Sequence, residues 1–294
     1  MGPTNTLLSP NDLARAIGVS ESSLKRWVDR GEIQAVRTLG GHRRIPLQEA
    51  IRFIRRSRHP VVNPAVLGME EAAGHAGWVE GSGWRVLAEA LKAGDHGPAR
   101  GMLLAAYLAG TPVARIVDDL IHPAMEELGG LWEHSSAGIM VEHLATDSCI
   151  QTVNQIRSLI RTPEGAPVAV GGGAPGDPYV LGSLTAAATL ADEGFLAVNL
   201  GPDTPLDVLA AAAREYGAAL VWLSLSSQGR TRPGGSDLAA FAHAVVESGV
   251  KVALGGRALP ALPTPLPPGA FVGRSMSELA AFAAGLRGPV SSRG

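Results

Sequence analysis

The last third of this chain is a succession of short apolar runs, most of which stop at glycine. Pro167-Val168-Ala169-Val170 leads into Gly171-Gly172-Gly173, Phe195 to Leu200 into Gly201-Pro202-Asp203, and Val250 to Leu254 into Gly255-Gly256. Ala219 to Leu225 and Ala270 to Gly273 have the same character. None of these runs alternates apolar with polar, so both faces need cover, as in a strand of a parallel sheet. Between them, Leu184 to Ala191 reads as a small-residue helix ended by Asp192-Glu193-Gly194. Thr204 and Pro205 cap a helix through Ala213, and Ser275 to Leu286 forms a final helix. The pattern predicts a doubly wound sheet of five parallel strands. Ligands of such sheets sit outside the carboxyl ends of the strands, where Gly173, Gly201, Ser226 and Gly255 fall.

With 294 residues the chain has room for two or three domains. No apolar run approaches the roughly 20 residues of a membrane helix. Met1 to Pro10 lacks the basic and apolar segments of a secretory signal, and a cytoplasmic location is expected. Cys149 is the only cysteine, which excludes an internal disulfide and a thiolate cluster for zinc or iron–sulfur. The net charge of −2 conceals an asymmetry. Residues 1–60 hold eleven Lys/Arg against five Asp/Glu, and residues 61–294 hold fourteen against twenty-two. A basic head on an acidic body suits phosphate binding, because each neutralised phosphate releases condensed counterions.

Within the head, Ser9-Pro10-Asn11-Asp12 sets up a helix start with a capping box. Leu13, Ala14 and Ile17 supply the apolar face and Gly18 the stop. Ser20-Glu21-Ser22-Ser23 opens a second helix with Leu24, Trp27 and Val28 inward, closed by Gly31. Two short helices about a tight turn make a helix-turn-helix. The second helix of that motif presents its N-terminal residues to base edges. Glu21, Ser22, Ser23, Lys25 and Arg26 therefore face DNA. Ile33 to Arg37 and His42 to Ile45 form a two-stranded wing about Gly40-Gly41, with Arg37, His42, Arg43 and Arg44 available to phosphates. A third helix follows Pro46, with Leu47, Ala50, Ile51 and Ile54 inward.

Two prolines near Arg58 break the helix and start a linker over residues 61–77. Four helical stretches then fill residues 78–163: Trp84 to Ala93, Ala99 to Ala109, Thr111 to Leu128, and Ser136 to Arg161. Short joints between them predict an antiparallel bundle. Trp132, Glu133, His134, Glu142 and His143 fall within a short interval there. They make either a lid over a flat ligand or a bundle plug beside a surface Glu–His pair.

The expected architecture is thus multidomain, α and α/β. A winged helix-turn-helix (1–60) and a linker (61–77) precede a four-helix bundle (78–163) and a Rossmann-like sheet (164–290). Leu8 to Pro46 resembles the DNA-binding domain of the mercury-resistance-regulator (MerR) type. The sheet region resembles the cobalamin-binding domain of methionine synthases and mutases. That family's fingerprint of Asp-x-His-x-x-Gly, Ser-x-Leu and Gly-Gly is matched by Asp177 to Gly182, Ser224 to Ser226, and Gly255-Gly256. The order of parts, with Glu142-His143 ten residues after Trp132, is similar to the light-responsive repressors of carotenoid genes (CarH/CarA type). The resemblance implies a homo-oligomeric repressor of operator DNA that senses adenosylcobalamin. Trp132 would cap the ring and light would cleave the cobalt–carbon bond. Asp177, Gly182, Ser224, Ser226, Gly255 and Gly256 would line the nucleotide tail.

The chain departs from that pattern at the lower cobalt ligand, where Tyr179 replaces histidine, and at Ser226, which replaces leucine. Imidazole is a good neutral ligand; a phenol, with its pKa near 10, is a poor one. Three readings follow. The domain binds cobalamin without a protein lower ligand, or it binds haem or a bilin with His134 or His143 as axial ligand. Alternatively it binds no cofactor and serves as a scaffold. No length remains for a separate catalytic domain, so a regulator rather than an enzyme is expected.

Overall fold

The structure, a computed structural model, describes residues 6–74, 81–130, 136–227, 232–262 and 266–286. Residues 1–161 and 162–294 form two compact units.

The first unit opens with strand β1 (Leu7–Leu8) and helix α1 (Pro10–Ile17). Ser9 caps α1: its hydroxyl accepts the Asp12 N–H at 3.1 Å, and the Asp12 carboxylate accepts the Ser9 N–H at 2.9 Å. Gly18 ends the helix at φ 70°, a left-handed conformation that suits glycine. Helix α2 (Glu21–Asp29) starts from the Ser20 cap. Of its expected inward stripe only Leu24 is buried; Trp27 and Val28 are half-buried. Trp27 instead closes an aromatic cluster, its ring centroid 5.2 Å from both Phe53 and His59.

The wing is shorter than expected. Strand β2 spans only Val36–Arg37, antiparallel to β3 (Arg43–Pro46), whose other edge takes β1. Ile33 is buried, and the Gln34 N–H donates to the Glu49 carboxylate at 3.0 Å, so that stretch is held by a side chain rather than a ladder. Helix α3 (Leu47–Ser57) buries Leu47, Ala50, Ile51, Phe53 and Ile54 as its apolar face. Residues 61–74 are packed. The Val62 and Asn63 N–H groups both donate to Ala16 O, and 3₁₀ turns at Pro64–Leu67 and Glu70–Ala72 bury Leu67, Met69 and Ala72.

Helices α4 (Gly83–Lys92), α5 (His96–Leu108), α6 (Val113–Ile116), α7 (His122–Gly129) and α8 (Ser136–Leu159) build the bundle. A π turn, Val117–Ile121, joins α6 to α7, with the His122 N–H bonded to Val117 O. Pro123 follows immediately. Its ring has no N–H and crowds the preceding turn, and one extra residue in the coil relieves that. Helix α3 docks on this bundle. Arg55 Nη1 donates to Tyr107 O at 2.5 Å and Thr111 O at 3.1 Å, with its guanidinium 3.7 Å over the Tyr107 ring. Gln48 Nε2 reaches Ser158 O at 2.8 Å.

The second unit is the doubly wound sheet. Strands β4 (Val168–Gly173), β5 (Leu196–Asn199), β6 (Leu220–Ser224), β7 (Lys251–Gly255) and β8 (Ala270–Gly273) are all parallel, in the order β5-β4-β6-β7-β8. Helices α9 (Leu181–Asp192) and α12 (Met276–Leu286) cover one face over Ala169, Leu220, Trp222 and Ala253. Helices α10 (Leu206–Glu215) and α11 (Gly235–Glu247) cover the other over Val170, Val221 and Leu223. The α11 helix was not among the expected elements. Its apolar residues Leu238, Phe241, Ala242 and Val245 do carry helical spacing. Gly171-Gly172-Gly173, expected as a loop, lies inside β4. Each glycine admits a close neighbour there: the Trp222 ring, Gly201 with Thr204, and Pro202.

Candidate functional site

The outward face of α2 carries Ser22, Lys25, Arg26 and Asp29, all exposed, with Ser23 half-buried. The Ser22 and Ser23 hydroxyls each lie 2.9 Å from the Ser20 cap oxygen. Lys25 pairs with Glu21 at 2.8 Å. On the wing, Thr38 N–H donates to His42 O and Gly41 N–H to Thr38 O, which closes the turn and leaves His42 exposed. Arg43 Nη2 lies 2.5 Å from Asp29 Oδ1, so this arginine ties the wing to the end of α2. Arg44 is half-buried and donates to the Arg43 carbonyl at 3.3 Å. Arg26 and Arg37 are exposed with no carboxylate in ion-pairing range among the described residues. Sequence reasoning passed over Leu39, which stands fully exposed at the wing tip. An apolar residue beside Gly40-Gly41 in a wing too short to bury it was the available signal.

Glu49 was missed as well. On α3 it is 1% exposed, and its carboxylate accepts from Gln34 N, Arg52 Nε and Nη2, and Arg161 Nη1 at 2.7–3.0 Å. Burial pushes its pKa up, but the Arg52 hydrogen bonds, the Gln34 N–H and Arg161 outweigh it and hold the group below the usual range. One carboxylate thereby joins the wing approach, α3 and the residue just past α8.

On α8, Glu142 Oε2 lies 2.7 Å from His143 Nδ1, and Thr146 Oγ1 donates to Glu142 Oε1 at 3.0 Å. His143 is exposed on a face shared with Ile139, Met140 and Leu144. Trp132 and His134 lie outside the described residues.

At the carboxyl end of the sheet, Asp177 is 2% exposed and gathers the loops. Its Oδ1 accepts the Tyr179 N–H at 3.0 Å, and its Oδ2 accepts those of Ser226 and Ser227. Tyr179 is exposed, with the Arg257 guanidinium 5.6 Å from its ring centroid. Arg257 Nε also donates to Ser226 O at 2.9 Å. Gly182, at the start of α9, presses on the end of β6. A Cβ there would lie 2.6 Å from Ser224 Oγ and 2.8 Å from Ser226 Oγ. Gly255 packs against Gly273 O, and Gly256, at φ 118°, sits directly on the Leu225 backbone. The strand order reverses its winding between β4 and β6, so Asp177, Tyr179, Gly182, Ser224 and Ser226 converge on the switch point where such sheets bind ligands.

Two families match this chain. Residues 7–58 match a family described as a helix-turn-helix domain, and residues 84–157 one described as a B12 binding domain. Among solved structures, the Methanosarcina barkeri monomethylamine corrinoid protein aligns at a TM-score of 0.50 and 18% identity. That alignment covers 68% of this chain and 96% of the other, and shows a shared fold. The methanol:cobalamin methyltransferase complex MtaBC of the same organism aligns at a TM-score of 0.35 and 19% identity, covering 74% and 84%. A novel cobalamin-binding protein from Desulfitobacterium hafniense aligns at 0.34 and 15%, covering 67% and 96%. No curated protein matches the chain.

Gly182, expected beside a nucleotide tail, lies close to the Ser224 and Ser226 hydroxyls. Gly255 and Gly256 serve strand-end packing. Trp222 is 1% exposed and lies across Gly171, its partner in the β4–β6 register. Its Nε1 has no hydrogen-bond partner among the described residues. A cobalamin with a protein-ligated cobalt and an inserted base does not fit this arrangement. Tyr179, Leu200 and Arg257 are exposed beyond the carboxyl ends of the strands.

Proposed function

We propose that this chain is a MerR-type transcription regulator whose C-terminal part senses cobalamin, acting as a homo-oligomeric, light-responsive repressor rather than an enzyme. The observation that carries the reading is the presence, in one chain, of a helix-turn-helix domain match and a B12 binding domain match. The corrinoid-protein fold of its neighbour supports it. In this reading Ser22, Ser23, Lys25 and Arg26 enter the major groove. Arg37, His42 and Arg44 contact phosphates, Arg43 stays paired with Asp29 beside them, and Leu39 packs on the sugar edge at the wing tip. One head offers few contacts, so paired half-sites on a dimer or larger assembly supply the affinity.

The test is an absorbance spectrum of the purified chain. It is mixed in the dark with adenosylcobalamin, methylcobalamin, haem or biliverdin in separate samples, and then desalted. Its DNA binding is followed before and after illumination. Retained corrin colour, with DNA affinity that changes on illumination, is the expected result. Retention of haem or bilin alone would replace cobalamin as the ligand. DNA binding indifferent to every tetrapyrrole and to light would leave a scaffold without a sensor.

A further inference from the structure

The form of corrinoid that the C-terminal unit takes can be narrowed, on the cobalamin reading above. Beyond its flat ring, a cobalamin carries a nucleotide that ends in a two-ring aromatic base. The base either stays on its own cobalt or swings away. A protein that takes the second form supplies a replacement donor and a buried space for the base.

Residues 162–294 answer both needs from within the chain. The entrance from the strand ends to the layer under α9 is narrow. Gly182 abuts the Ser224 and Ser226 hydroxyls so closely that an added methyl group would have to displace them, and Asp177 pins Ser226 and Tyr179 in place through their N–H groups. The chamber beyond is already filled. Gly171, Ala169, Ala186, Ala187 and Ala253 leave room for one two-ring aromatic beside the switch point, and the buried Trp222 indole occupies it. Its Nε1 makes no hydrogen bond among the described residues, so the position uses the indole for volume rather than polarity. On the opposite face Gly172 is crowded by Gly201 and Thr204, and Val221, Leu223, Leu238 and Phe241 pack together. Finally, the donor position holds Tyr179, a phenol lying beside the Arg257 guanidinium, in place of an imidazole.

We infer that this unit recognises a corrinoid by its ring alone, with the base left on cobalt or absent, and does not read the nucleotide. Trp222 is the protein's own substitute for an inserted base.

The wild-type full chain is titrated in the dark with methylcobalamin and with methylcobinamide, which shares the ring and upper ligand but lacks the nucleotide and base. Dissociation constants and the absorbance of the bound species are recorded. The expected result is affinities within about tenfold of each other and a bound methylcobalamin spectrum of the base-attached type. A methylcobalamin preference of about a hundredfold or more, or a base-detached spectrum, overturns the inference and leaves the corrinoid reading standing. If neither corrinoid is retained, the corrinoid reading fails and takes this inference with it.

Discussion

Arg37 and Arg43 face one another in register across the wing, yet only one of them is free. Arg43 is neutralised by Asp29 at 2.5 Å, whereas Arg37 is exposed without a carboxylate in range among the described residues. An exposed pair of that kind contributes at most about 1 kcal/mol to stability, but it decides how much positive charge is left for phosphates. Each phosphate neutralised contributes about −0.9 to the slope of log affinity against log salt. Arg37→Ala should therefore lower the magnitude of that slope on duplex DNA by about one, and Arg43→Ala by clearly less. Filter-binding or anisotropy titrations across salt concentrations read this directly. Equal losses for the two variants would mean that Arg43 leaves Asp29 when DNA arrives.

Among the elements, α3 does the connecting. Its apolar face completes the head's core, while Gln48, Arg55 and Glu49 reach the bundle helices and the residue after α8. Glu49 has its pKa held low in the folded state. The stability it contributes is thus fully present above the ordinary glutamate value, about 4.3, and is lost as pH falls through the lower folded value. Glu49→Gln removes the charge but keeps the shape, leaving Arg52 and Arg161 without their carboxylate. A loss of about 1–3 kcal/mol near neutral pH is expected, smaller at the solvent-facing side where both arginines are partly exposed. Urea midpoints of the two proteins should converge as the solution is acidified. Parallel pH profiles would show that Glu49 acts by packing alone.

On the scale of the whole molecule, each unit buries its own set of apolar side chains, so unfolding is expected to depart from a single two-state transition. Cys149 reports on the first unit only. It is fully buried on α8, and burial pushes its thiol pKa up to about 12, so the native thiol is both inaccessible and unionised. Iodoacetamide labelling across a urea series should follow the opening of residues 1–161. Far-ultraviolet circular dichroism reports the helices of both units. Coincident curves from the two probes would show that the units unfold as one. Prompt labelling without urea would place Cys149 at the surface.

Much of this protein is written in local pattern. The Ser9 and Ser20 caps, the Gly18 stop, the third helix after Pro46 and the five apolar strands depend on residues a few positions apart, and near-neighbour physics carries them. The α11 helix belongs to the same class, since its spacing was there to be read. What the tertiary structure alone decided are encounters between distant residues. The carboxylate at position 49 is buried because Arg161, far along the chain, arrives to meet it. Arg43 is spent on Asp29, and Gly182 closes on Ser224 and Ser226 rather than opening beside them. The sequence by itself determined that Tyr179 stands where an imidazole was expected. Only the fold showed that Trp222 fills the space beside Gly171. A glycine's missing side chain is visible in a sequence, but which neighbour takes up the vacated volume depends on how strands pair and helices pack.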